Sequence, residues 1–207
     1  MPQKIRVAVL ASGRGSDFQS IIDGVEGGSV NAEIVLLITD NPEARAIGRA
    51  KMHGIPFAVI LPKDYGAREE HDRAIKERLD GVRPDLVVLA GYMRIIKDRL
   101  LLKAYEGRMI NIHPSLLPLF PGAHAQRDAF EAGARVSGFT IHFVTDALDG
   151  GPIIYQERVD ISGAKSADDV AAVILEREHA GLPRVVQMFA DGKFKIEGKK
   201  VTYRKNG

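Results

Sequence analysis

The sequence has no cysteine, so a disulfide framework and a thiolate metal site are both excluded, and nothing in it points to an oxidising compartment. It also has no long apolar run. The N-terminal stretch MPQKIRVAVLASG is too short in apolar residues for a signal peptide and leads into a Gly turn, while no later segment approaches the length that spans a bilayer. There is no internal repeat and no low-complexity segment. Nor is there an excess of one charge: 29 basic residues stand against 27 acidic ones, a formal net charge of +2. The signs are interspersed except in the closing KFKIEGKKVTYRKNG. That tail lacks a basic helix or an aromatic ladder, so it reads as a solvated basic edge rather than a nucleic-acid contact. The expectation is a soluble cytoplasmic protein, monomer or homodimer, that acts on small molecules and binds neither nucleic acid nor membrane.

What is present suits one α/β domain over residues 1–207. The chain is long enough, at 45% hydrophobic residues, to bury a core without a staple. KIRVAVLA is apolar throughout, as a strand covered on both faces would be. It runs into SGRGSD and then FQSIIDGV at helical spacing. A strand, a Gly-rich turn and a helix in that order place backbone N–H groups against a phosphate. The competing reading is a tight βα turn with Ser16 or Asp17 as N-cap, and the residues leave the two open. AEIVLLITD, PFAVI and DLVVLAG alternate with amphipathic helices, which argues for a mostly parallel, Rossmann-like sheet with helices on both faces and ligands at the carboxyl ends of the strands. RMINIH is a fifth strand. SGFTIHFVTD and PIIYQERVD, joined by a short connection, form an antiparallel pair at the C-terminal edge. The last helix runs from about Ala167 to Phe189, interrupted or kinked at Pro183, and KFKIEGKKVTYR closes as a hairpin around Gly198.

The stretch from Met109 to Gly151 carries the chemistry. In N-I-H-P, Asn111 and His113 stand where a buried strand gives way to a Pro-broken loop, and the period of two puts their side chains on one face. Two polar groups on one face can serve as donors to an oxyanion. Asp149 follows much later, directly before Gly-Gly-Pro. Alone, each residue has a plainer reading: a turn-forming Asn, a satisfied loop His and a turn Asp. Together they are harder to dismiss.

The wording around them is also informative. NIHPSLLP, the PGAHA that follows and HFVTDALDGGP resemble the signature of folate-dependent formyltransferases, closest to the branch that acts on glycinamide ribonucleotide. The likeness extends from the Gly-rich loop to the helix holding Glu178. It implies transfer of a formyl group from 10-formyltetrahydrofolate, used as a cosubstrate, with no permanently bound cofactor and no metal. For this chain it implies that Asn111 and His113 stabilise the tetrahedral oxyanion, with Asp149 holding His113 as imidazolium and taking the amine's proton through a water. The ribose-5-phosphate would lie on Gly13, Gly15, Ser16 and Asp17, with Pro114 against the substrate and Glu178 on the ribose hydroxyls. The pterin slot would be made by Met93, Arg94, Ile95 and Ile96, with Asn111 beside the folate and Arg68 at its glutamate tail. His142, mid-strand, would support the site by hydrogen bonding. A phosphate-binding N-terminal half to about residue 100 would precede a catalytic and folate-binding remainder.

Two positions depart from the pattern. Asp17 stands where the family usually has Asn, which sets a carboxylate beside a phosphate unless it turns away as a cap or Arg14 offsets it. Phe139 replaces a small residue and reads as a packing change. Plainer readings persist at two others: AGYMRII as a helix start with a core face, and Arg68 as a solvated helix residue. The rival functions are a 10-formyltetrahydrofolate hydrolase, a methionyl-tRNA formyltransferase, a zinc hydrolase built on His113, His124, His142 and Asp149, and a phosphate-binding module without catalysis. The first two would be expected to carry an extra terminal domain, and the zinc site lacks helical His spacing.

Overall fold

Each apolar run read as a strand from the sequence becomes one. The computed structural model describes residues 3–203 apart from Lys193 and Lys199, so those two lysines and residues 204–207 of the basic tail lie outside the described residues. In chain order the first half contains β1 (Ile5–Leu10), α1 (Ser16–Glu26), β2 (Ala32–Thr39), α2 (Arg45–Met52), β3 (Phe57–Val59), α3 (Arg68–Val82) and β4 (Leu86–Leu89). The second half contains α4 (Arg99–Ala104), β5 (Met109–His113), α5 (Ala125–Glu131), β6 (Val136–Phe143), β7 (Ile153–Asp160) and α6 (Ala167–Ala190), with the hairpin β8 (Phe194–Glu197) and β9 (Lys200–Tyr203) after it.

Seven strands form one sheet in the order β3-β2-β1-β4-β5-β6-β7. β1 to β5 are mutually parallel. The C-terminal edge is antiparallel as expected, and the antiparallel run begins one strand earlier than the pair, because β6 also runs against β5. Side chains alternate across the sheet. Val7, Val9, Leu86, Val88 and Ile110 join Phe18, Ile21, Ile174 and Leu182 in a core beneath α1 and α6. Ala8, Leu10, Val87, Leu89 and Met109 join Ile75, Leu79 and Leu101 beneath α3 and α4 on the other face. The chain winds outward from β1 through β2 to β3, and in the opposite direction from β4 to β5. The strand order therefore reverses between β1 and β4, where the loops leaving their carboxyl ends diverge and open a crevice.

Three local expectations differ from what is found. α6 is continuous through Pro183, so of the two readings, interrupted or kinked, the interruption is not found. It packs along α1, where a Cβ on Gly24 would come 3.3 Å from the Pro183 Cβ, and that tertiary contact offsets the hydrogen bond the proline removes. AGYMRII does not start a helix: α4 begins only at Arg99, behind Asp98, whose carboxylate accepts the Leu101 N–H at 2.8 Å. Neither Ser16 nor Asp17 caps α1. Its N-cap is Gly15, in the left-handed conformation at φ 66, without any side-chain cap.

Phe139 is a packing change, and its partner is visible. The ring is fully buried and fills the space left by Gly181 on α6, where an added Cβ would run into the ring. Gly181 thus sacrifices helix propensity to seat an aromatic side chain. Gly181→Ala is expected to destabilise the protein by about 1–3 kcal/mol through overpacking, despite the helix propensity it regains. Adding Phe139→Leu to it should recover part of that loss in a urea-unfolding comparison of the single and double variants.

Candidate active site

The crevice at the strand reversal is a cleft of about 570 Å³, lined from β1, β4, β5 and α6. Its first wall is the loop after β1. Gly15 is pressed against α2, where a Cβ would lie 2.8 Å from the Ala46 Cβ, so only glycine fits there. With no side-chain cap on α1, the amide groups of its first turn are left to face the cleft. Asn41 donates from Nδ2 to the Ser12 carbonyl at 3.2 Å, and Arg49 donates from Nε to the Arg14 carbonyl at 3.0 Å, fixing the loop from both sides.

Two carboxyl groups stand at the end of this wall. The Asp17 side chain is 13% exposed and lies 3.9 Å from His179 Nε2, with Oδ1 lacking a hydrogen-bond partner. Glu178, on α6, is buried and lines the same cleft. Burial holds the Asp17 carboxyl up at about 6 against the pull of Arg14. Burial, and then the Asp17 charge, push Glu178 up to about 8.

The second wall is the loop after β4. Met93 donates its N–H to Ser12 Oγ at 2.9 Å, tying this loop to the first. Arg94 Nε donates to Asp40 Oδ2 at 2.7 Å. Asp72, buried on α3, accepts the N–H groups of Lys97 and Asp98 at 2.7 and 3.0 Å. The segment is therefore held in an irregular path that leaves Met93 and Ile95 exposed at the cleft while Ile96 is buried.

The third wall is the end of β5. Asn111 pairs across the ladder with His142, and its Nδ2 lies 3.2 Å from His142 Nε2. His142 Nδ1 lies 2.9 Å from the Phe143 carbonyl. A carbonyl only accepts, so Nδ1 carries the proton and Nε2 accepts from Asn111. Burial lowers the His142 pKa, helped by the charge of His113 and opposed by the Phe143 hydrogen bond and Asp149, so the ring is neutral and orients the amide. His113 Nε2 donates to the Phe120 carbonyl at 2.9 Å, and Nδ1 lies 3.6 Å from Asp149 Oδ2. Both ring nitrogens face oxygens.

Asp149 closes the arrangement. Its Oδ2 accepts the Gly122 N–H at 2.8 Å, and its Oδ1 lies 3.7 Å from His142 Nε2. The backbone takes φ 48 here, a conformation that Asp tolerates better than most residues. At Gly151 any Cβ would collide with the Phe143 carbonyl. The Asp-Gly-Gly sequence is thus the local condition for turning this carboxylate inward.

Of the residues singled out from the sequence, Gly13, Gly15, Ser16, Asp17, Met93, Arg94, Ile95, Ile96, Asn111, His113, Pro114, His142, Asp149 and Glu178 line this one cleft. Arg68 does not join them. It is the first residue of α3 and is exposed. His124 is exposed at the start of α5 and also stays outside the lining, and among the described residues there is no group of three or more His, Asp or Glu side chains that could hold a metal ion. Sequence reasoning missed Ser115, Thr140 and Gln156. Ser115 donates to the Leu119 and Phe120 carbonyls, Thr140 donates to the Ser115 carbonyl, and Gln156 donates to the Leu117 carbonyl. Together they hold the loop whose Phe120 carbonyl meets His113. The signal was the Ser directly after H-P. It also missed the lip formed by Thr145, Ala147 and Leu148.

The family model of the formyl transferases matches residues 5–186, and the chain belongs to that family. It is 40% identical to the phosphoribosylglycinamide formyltransferase of Escherichia coli (strain K12), over 93% of this chain and 90% of that one. Among solved structures it is similar to glycinamide ribonucleotide transformylase 1 from Symbiobacterium toebii, at 40% identity and a TM-score of 0.94, covering 98% of this chain and 95% of that one. It is also similar to a formyltetrahydrofolate deformylase from Pseudomonas syringae pv. tomato, at 27% identity and a TM-score of 0.90, covering 98% of this chain and 67% of that one.

The buried carboxyls set a pH dependence of stability. Glu178 titrates higher in the folded protein than in the unfolded chain, so the folded state binds the extra proton and stability falls as pH rises from about 5 to about 8. Glu178→Gln should remove much of that fall. Thermal unfolding without ligand is expected to show the variant gaining on the parent protein by on the order of 3 kcal/mol between those pH values.

Proposed function

We propose that the chain transfers the formyl group of 10-formyltetrahydrofolate to the amine of 5'-phosphoribosylglycinamide, giving formylglycinamide ribonucleotide and tetrahydrofolate, a step of purine biosynthesis. The observation that carries this reading is the meeting of Asn111, His113 and Asp149 at one end of a cleft whose other end is the Gly13–Asp17 loop. The likeness to enzymes named for the same transfer supports it.

In this reading Asn111 and His113 act on the oxygen of the formyl group. Attack by the amine forms a nitrogen–carbon bond and places negative charge on that oxygen. A well-placed donor there contributes about a hundredfold or more in rate. The Nε2 proton of His113 is engaged by Phe120, so Nδ1, on the side of Asp149, is the donor available to the oxyanion. Asp149 receives the amine's proton through a water. Collapse of the intermediate breaks the bond from carbon to the folate nitrogen, which takes up a proton, so the exchange balances with no net proton gained or lost. The backbone of Met93, Arg94, Ile95 and Ile96 offers the pterin its hydrogen bonds, and no other cofactor takes part.

Gly13, Gly15, Ser16 and Asp17 receive the phosphate by their N–H groups, Pro114 packs against the nucleotide, and Glu178 binds its ribose hydroxyls. Arg68, outside the cleft, is left with the solvent-facing glutamate tail of the folate. Residues 1–207 work as one formyltransferase domain, as monomer or homodimer, in the cytoplasm. No helix among the described residues is long and apolar enough to cross a membrane. The two halves share the substrates: Met93 to Ile96 precede residue 100, and Glu178 follows it.

A 10-formyltetrahydrofolate hydrolase is the second reading, favoured by the deformylase likeness at its lower identity. Release of tetrahydrofolate by the purified protein, with and without glycinamide ribonucleotide, separates the two. Release that requires the nucleotide is expected, and release without it would establish the hydrolase instead. His113→Ala is expected to lower turnover by on the order of a thousandfold with little change in nucleotide binding, and near-normal turnover would refute its assignment.

A further inference from the structure

The transfer reading gives the Asp17 side chain no role and leaves the protonation of the carboxyls beside it open. Asp17 and Glu178 are both withdrawn from water and line the same end of the cleft, and Asp17 Oδ1 has no hydrogen-bond partner there. An ionised carboxylate in that position would face both a second carboxylate and the substrate's phosphate. The positive charges around it are few. Arg14 acts on Asp17 from the same loop but is exposed. His179, on α6, stands 3.9 Å away, and its own protonation is disfavoured by burial and by Arg49 from α2, against the opposing charge of Asp23 on α1.

We propose that Asp17 and Glu178 carry a single proton near neutral pH, on Glu178 in the free protein and on Asp17 once the nucleotide is bound, so that the Asp17 carboxyl donates a hydrogen bond to the phosphate while the ionised Glu178 accepts from the ribose hydroxyls. Asp17 is then a specificity-determining residue that makes nucleotide affinity depend on pH. The inference rests on the transferase reading of the cleft. The proton balance is simple. Near neutral pH the pair already carries its proton, and binding takes up none. Above the upper titration of the pair, at about 8, the free pair bears two charges, so binding must draw one proton from solvent. Affinity then falls about tenfold for each pH unit.

Asp17→Asn removes the need for that proton while keeping the shape and a donor. The test is the KM for glycinamide ribonucleotide in the parent protein divided by that in Asp17→Asn, measured at saturating folate from about pH 7 to about pH 9; the substrate's own ionisations cancel in the ratio. The ratio is expected to rise about tenfold over the whole range, about fivefold of it across the last unit. A ratio that stays flat would overturn the proposal and leave Arg14 as the neutralising group. Calorimetry with ribose 5-phosphate gives an independent reading. At about pH 9, in buffers of different ionisation heat, binding should take up about one proton in the parent protein and none in Asp17→Asn. Equal uptake in both, or no binding at any pH, would overturn it. Failure of the transferase reading has its own sign, an absence of turnover with glycinamide ribonucleotide at every pH, and the calorimetry decides the proton question in that case too.

Discussion

The site depends on one half-buried carboxylate set between two imidazoles and held by the Gly122 N–H. Asp149 can sit there because the chain turns through a positive φ at that residue and because Gly151 lets the backbone pass against β6. Once inward, its Oδ2 fixes Gly122 while facing His113, and its Oδ1 faces His142. A hydrogen bond from a buried N–H to a charged group contributes about 1.5–3 kcal/mol, and leaving the carboxylate unpaired would cost more. The loop from Pro114 to Gly122 is thus anchored at its far end by the same group that faces the candidate catalytic His. Ser115, Thr140 and Gln156 hold its near end. Position and electrostatics come from one set of contacts.

The sheet supplies the rest. Reversal of strand order between β1 and β4 makes a crevice without any special device, and the ladder between β5 and β6 sets Asn111 opposite His142. That register makes the amide–imidazole contact a consequence of pairing, since directly opposed side chains on one face meet. On the far side α6 carries Glu178 into the cleft. Its approach to the sheet is governed by the Phe139 ring seated over Gly181, so a packing choice in the core reaches the end of the cleft where the phosphate loop lies.

Much of this was legible in the sequence, because it follows from periodicity. The apolar runs gave the strands, and the period of two put Asn111 and His113 on one face. The family likeness covered positions far apart in sequence, Asp149 and Glu178, which no local pattern could join. What was not legible depended on tertiary context. Pro183 stays within a helix because α1 supports it. The segment 91–96 has a helix-like pattern but is a loop, tied to Ser12 through the Met93 N–H and followed by Lys97 and Asp98, whose amides bind the buried Asp72. Gly15 caps α1 because α2 crowds it, so Ser16 and Asp17 are not needed. Side chains that bond to backbone carbonyls, such as Ser115, leave little trace in a pattern of polarity.

The central claim is that His113 and Asp149 act as one unit. A double-variant cycle of turnover tests it, with His113→Ala, Asp149→Asn and both together; Asn is chosen because it tolerates the positive φ at that position. The account predicts strong non-additivity, with the double variant scarcely slower than His113→Ala alone. Losses that multiply, each as large in the presence of the other change as alone, would contradict it.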